Sequence, residues 1–150
     1  MFYRFAYESE HYPELSRVPL YVRMKLDLAG IKISLKDWLA FSFEERTVLC
    51  HLPIETDDER TAFSSYVDFL SRRYGVQRAA QAAMMDSALW QHTEIPNPVA
   101  QKSAATSRAV TLAEWRRWAA HQRYALYKTA ISKSQPEAFE KVLDELRRQD

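Results

Sequence analysis

Glycine is almost missing from this chain: Gly30 and Gly75 are the only two in 150 residues. A loop that cradles phosphate with backbone N–H groups needs clustered glycines, which argues against the nucleotide-loop folds. Cysteine is scarcer still. Cys50 stands alone, so no internal disulfide can form and a reducing, cytoplasmic setting is expected. No apolar run approaches the roughly 18 residues of a membrane span. The opening Met1-Phe-Tyr-Arg-Phe-Ala-Tyr-Glu carries charge too early for a secretory signal. Neither charge sign is in excess, with 21 Lys and Arg against 20 Asp and Glu, which points neither to a nucleic-acid binder nor to an acidic decoy. His11, His51, His92 and His121 lie far apart without a partner at i+3 or i+4, so no helical metal pair exists in the sequence and no metal or cofactor is expected.

What is abundant is helix punctuation. Five positions pair a hydroxyl with a carboxylate three residues on: Ser34/Asp37, Ser42/Glu45, Thr56/Glu59, Thr111/Glu114 and Ser134/Glu137. Each is a capping-box signature for a helix start, worth about 1 kcal/mol per cap. Pro19 suits the first turn of a helix carrying Val18, Val22, Leu26 and Ala29 at helical spacing, and Gly30 suits its left-handed stop. Asp57 to Tyr74 bears a one-sided stripe of Phe63, Tyr66, Val67, Leu70 and Tyr74, halted by Gly75. Further helices are expected over Val76 to Trp90, from Leu112 to about Ile131, and through Phe139, Val142, Leu143 and Leu146. Residues 2–12 interleave aromatics with charges, as a short strand or an arm packed over helices would. An all-α chain forming one compact domain over residues 1–150, with an N-terminal arm over 1–17, is the expectation.

One stretch occurs twice. Ile33-Ser34-Leu35-x-Asp37-Trp38-x-x-Phe41-x4-Arg46-x-x-Leu49 returns 77 residues downstream as Val110-Thr111-Leu112-x-Glu114-Trp115-x-x-Trp118-x4-Arg123-x-x-Leu126. The same register aligns Val18-Pro19-x-x-Val22-x-x-Lys25 with Ile95-Pro96-x-x-Val99-x-x-Lys102, without a gap. Such self-similarity predicts two helical repeats, about 18–74 and 95–146, packed around an approximate two-fold axis.

No catalytic chemistry follows from the residues. Cys50 and His51 are neighbours in sequence and point about 100° apart on a helix, as a buried thiol and a surface imidazole would. Trp38 and Trp115 are the natural anchors of the two copies. Arg46 and Arg123 allow two readings, bracing helix ends through backbone carbonyls or clamping an anion. The second would define a candidate anion site of Arg46, Arg123, Lys25 and Lys128. Charge is uneven: Glu44 to Arg60 holds six acids against two bases, and Lys102 to Lys133 seven bases against Glu114. The two stretches are either solvated faces that attract each other or an anion-binding or docking surface. Helix-turn-helix nucleic-acid binding is the weakest alternative, since the first copy is acidic where a recognition helix needs a basic surround.

The signature Val18-Pro19-x-x-Val22-Arg23-x-Lys25-Leu26-Asp27-x-x-Gly30-x-Lys32-x-x-Leu35-x-x-Trp38-x-x-Phe41-Ser42-x-x-Glu45-Arg46 resembles the nitrate reductase associated protein family. Trp90-x4-Ile95-Pro96, Thr111-Leu112-x-x-Trp115 and Gln122-Arg123-Tyr124-Ala125-Leu126-x-Lys128 resemble its second half, so the likeness runs from the Phe5-x-Tyr7-Glu8 arm to about Phe139. Two positions depart from the family: Ser107 where a glycine is usual, and the turn Ser132-Lys133-Ser134-Gln135-Pro136. The resemblance implies a small cytoplasmic bacterial protein whose gene lies near those for nitrate reductase and molybdopterin synthesis. It implies an accessory or assembly role in nitrate assimilation, with nitrate reductase or the molybdenum-cofactor machinery as partner, and assigns no catalytic residue. A small enzyme or binding protein for an anionic metabolite is the alternative.

Overall fold

Helix starts dictate the architecture, because each capping box fixes where a helix must begin. The computed structural model describes residues 2–76, 86–106 and 108–149. Among them are eight α-helices, two short 3-10 turns and no strand. The helices are α1 Leu20–Ala29, α2 Leu35–Ala40, α3 Phe43–His51, α4 Asp57–Arg73, α5 Asn97–Ala104, α6 Leu112–Arg117, α7 Ala120–Ile131 and α8 Ala138–Arg148. The aromatic arm forms neither a strand nor plain coil but a 3-10 turn over Ala6–His11.

Four of the five predicted boxes are made. Ser34, Ser42, Thr56 and Thr111 each accept from the backbone N–H three residues on, whose side chain accepts from the cap residue in return. The fifth is not. Pro136 disfavours helical backbone at Gln135, so Ser134 cannot cap there; the chain turns at Pro136 and α8 starts at Ala138 without a side-chain cap. The single helix expected from Leu112 to Ile131 is broken in two at Trp118 and Ala119, both extended. Only half a box marks the restart, the Ala119 N–H donating to Gln122 Oε1 at 2.8 Å. The helix expected over Val76 to Trp90 falls mostly on 77–85, outside the described residues, as does Ser107; Ser87–Trp90 is a 3-10 turn.

The chain divides into two compact units. Unit 1 takes its described residues from Met1–Arg4 and Glu8–Met85, unit 2 from Phe5–Tyr7 and Asp86–Asp150. In unit 1, α1 packs against α3 and α4, and Val22, Trp38, Phe41, Leu49, Phe63, Val67 and Leu70 are buried. In unit 2, α7 packs against α5, α8 and the Ser87–Trp90 turn over Val99, Trp115, Tyr124, Leu126, Val142, Leu143 and Leu146. Each such side chain contributes roughly 1.5–3 kcal/mol on leaving water. α1 ends as the sequence predicts, on Gly30 at φ 70°. Its start is less ordinary: Pro19 brings no side-chain acceptor, and the Leu20 N–H donates instead to both carboxylate oxygens of Glu8, at 3.1 and 3.0 Å.

Candidate functional site

The polar side chains that the sequence singles out are best followed from the backbone groups they meet. α2 stops at Phe41, whose extended backbone (φ −71°, ψ 151°) leaves its carbonyl outside the helix ladder. Arg46, one turn into α3, donates from Nε to that carbonyl at 3.1 Å and from Nη1 to the carbonyls of Glu14 and Leu15, both at 3.0 Å. The Trp38 indole donates to the Leu15 carbonyl as well, at 2.8 Å, with the ring wholly buried. Indole and guanidinium together tie the segment before α1 to the α2–α3 corner.

Unit 2 repeats this wiring with different partners. α6 stops at Trp118 (φ −71°, ψ 150°), and Arg123 Nη1 donates to its carbonyl. Arg123 Nε donates to the Trp90 carbonyl at 2.8 Å, and the buried Trp115 indole donates to the neighbouring Gln91 carbonyl at 2.6 Å. A guanidinium suits this task because its planar fork reaches two or three carbonyls at once. Burial lowers the Arg123 pKa.

Lys25 is the deepest charge in unit 1. Its side chain has no exposure, and Nζ donates to the carbonyls of Leu49, Cys50 and Leu52 at 3.0, 2.8 and 2.5 Å. Those carbonyls end α3, where the helix dipole favours a cation. The Tyr21 ring centroid lies 4.5 Å from the ammonium and that of Phe63 lies 6.0 Å away. Desolvation lowers the lysine to about 8. The same burial pushes the Cys50 thiol up to about 12, so it is a poor nucleophile, while His51 is exposed beside it.

Of the candidate anion site, then, Arg46 and Lys25 share unit 1 but bind different carbonyls, at opposite ends of α3. Arg123 and Lys128 share α7 in unit 2, where Lys128 is half-buried. The bracing reading of the arginines is the one these contacts supply.

Other polar residues escape a sequence reading. Glu114 completes the Thr111 box and also meets Arg147, whose Nε lies 2.9 Å from Oε2, with Arg108 at 3.6 Å. The Arg147 hydrogen bond is the main reason its carboxyl is held below the usual range. Tyr74 donates its hydroxyl to Glu45, the box partner of Ser42. Burial alone would raise the Glu45 pKa; this bond, the Ser42 contacts and Arg73 bring it below normal instead. His121 is kept neutral by burial and by nearby Arg123, its pKa lowered to about 4, with the Phe5 ring 6.0 Å away. The only advance signal for such groups is a gap: a helix start with no local cap, or a charge on an apolar stripe, needs a distant partner.

Among the described residues no three His, Cys, Asp or Glu side chains converge as a metal site, and no helix is long and apolar enough to cross a membrane. The model of the conserved nitrate reductase-associated protein family matches residues 4–146. The chain belongs to this family. No curated protein and no solved structure matches it. The nitrate reductase-associated family is named for an enzyme, and that name ties the chain to nitrate reductase without assigning it a reaction.

Proposed function

We propose that this chain is a non-enzymatic accessory or assembly factor, acting in the cytoplasm on nitrate reductase or on the machinery that supplies its molybdenum cofactor. The observation that carries this reading is family membership over residues 4–146. Two features support it. The side chains best suited to chemistry, Lys25, Arg46, Arg123 and Cys50, are engaged with backbone carbonyls or buried. The stretch from Lys102 to Lys133 offers six bases besides the engaged Arg123 against the buried Glu114, a surface suited to docking on an acidic partner.

The test is retention of purified nitrate reductase and of cofactor-insertion enzymes on the immobilised chain, paired with nitrate reductase activity in a deletion strain. Retention of at least one, with activity lowered in the deletion, is expected. Retention of neither, together with unchanged activity, ends the reading. A thermal-shift screen over nitrate, nitrite, molybdate and nucleotides separates it from an anion-binding role, because a ligand stabilises by RT ln(1 + [L]/Kd) and an accessory factor gives a flat response.

We also propose that the two units descend from one doubled helical unit forming a single domain. Support comes from α2 and α6, each six residues long and starting 77 residues apart, and from the paired Trp and Arg braces and the near-equal Phe41 and Trp118 backbone angles. Pro19 and Pro96 open α1 and α5 in the same register.

A further inference from the structure

The matched helices α2 and α6 differ where they face water. Leu35 and Leu39 lie one turn apart on α2, and Phe43 opens α3; all three are large, apolar and nearly half exposed, at 46, 46 and 45%. The positions 77 residues on hold Leu112, Arg116 and Ala120, also exposed. Unit 2 therefore folds the same capped helix and the same Trp–Arg brace with Arg116 and Ala120 where unit 1 has Leu39 and Phe43. Folding does not require the exposed apolar face of unit 1, and an apolar face kept in water without that need marks an interaction surface.

Charge and shape on the chain itself name the occupant. Around the apolar face stand Asp37 and Glu44 against Lys36, while Glu45 is engaged with Ser42, Tyr74 and Arg73. On α6 stand the exposed Arg116 and Arg117, while Arg108 pairs with the buried Glu114, which also meets Arg147. The exposed surface of α6 and of the start of α7 is otherwise Leu112 with the small Ala113, Ala119 and Ala120, which lets another helix approach closely and gives apolar side chains somewhere to pack.

We propose that the Leu35, Leu39 and Phe43 face of one copy docks on the Leu112, Arg116 and Ala120 face of a second copy. The contact is heterologous, each copy offering one of two complementary faces. It is small, so self-association is weak, with Kd in the micromolar range.

Sedimentation equilibrium of the full chain tests this. Wild-type protein is expected to gain mass above the monomer as its concentration rises to about 200 µM, a range that reveals micromolar association. L35Q/L39Q keeps good helix formers on α2 but removes one face, and R116E reverses the charge on the other. Each variant alone is expected to stay monomeric across the range. Mixed one to one, they recover a heterodimer, because each supplies the face the other lacks; a variant that had simply failed to fold could not do so. A monomeric wild type, a variant that still associates alone, or a mixture that stays monomeric overturns the proposal.

Discussion

Replacing Lys25 by methionine keeps most of the side-chain volume in unit 1 and removes its buried charge, at a cost that must change with pH. In the wild type Nζ donates to three carbonyls at 3.0, 2.8 and 2.5 Å, and desolvation lowers the ammonium to about 8. The unfolded chain holds the same lysine at roughly 10.4. Between these values the unfolded state binds more protons than the folded one, so wild-type stability rises with pH from about 8 to roughly 10.4. The interval of about 2.4 units corresponds to ~3 kcal/mol. At pH 7 the variant loses three hydrogen bonds but also sheds the desolvation cost of the ammonium, leaving it about 1–3 kcal/mol less stable. By pH 10 its deficit grows by a further ~2 kcal/mol, since methionine cannot titrate. Urea unfolding followed by tryptophan fluorescence at pH 7, 8, 9 and 10 reads both quantities, and taking the difference cancels the titrating groups that do not interact with Lys25. Parallel stability profiles, or a deficit that shrinks with pH, would refute the reasoning.

Three further predictions rest on the same contacts. Arg46→Lys and Arg123→Lys each keep the charge but lose the fork that reaches separate carbonyls, and each is expected to cost about 1–3 kcal/mol in urea unfolding; losses under about 0.5 kcal/mol, the usual size for a neutral surface change, count against the brace. His121 has its folded pKa depressed to about 4 against roughly 6.5 unfolded, so stability present above pH ~6.5 is lost as pH falls towards 4, by ~1–2 kcal/mol after discounting for solvent screening of the part-exposed ring. His121→Leu flattens that acid limb, and an unchanged limb would show that the imidazole is charged in the fold. Cys50, fully buried and raised to about 12, resists a thiol-labelling reagent in native buffer and reacts fully in urea; fast native labelling would mean that the α3 end opens readily.

Local chemistry made much of this fold legible in the sequence. A hydroxyl with a carboxylate three residues on is a self-contained signal, which is why Ser34, Ser42, Thr56 and Thr111 mark real helix starts. The same signal misleads at Ser134, where Pro136 overrides it, and falls silent at Ala119, which has no hydroxyl. Trp38 and Trp115 are recognisable as anchors because a large buried ring with one donor needs a fixed acceptor. Their acceptors were not recognisable, since Leu15 and Gln91 sit more than 20 residues upstream and any residue offers a carbonyl. That ambiguity kept both bracing, the favoured reading, and anion binding open for Arg46 and Arg123. Lys25 shows the limit differently: beside Val22 and Leu26 it reads from sequence only as a candidate anion ligand, and only the C-terminal carbonyls of α3 explain a charge in the interior.

Hydrogen exchange of the tryptophan indoles tests most directly whether one Trp–Arg brace is used twice. Trp38 and Trp115 Nε1–H are expected to exchange slowly in the native chain, as donors to the Leu15 and Gln91 carbonyls. Arg46→Lys should speed exchange at Trp38 and leave Trp115 slow, and Arg123→Lys should do the reverse. Fast exchange of either indole in the wild type, or equal acceleration of both by one substitution, would contradict a separate brace in each unit.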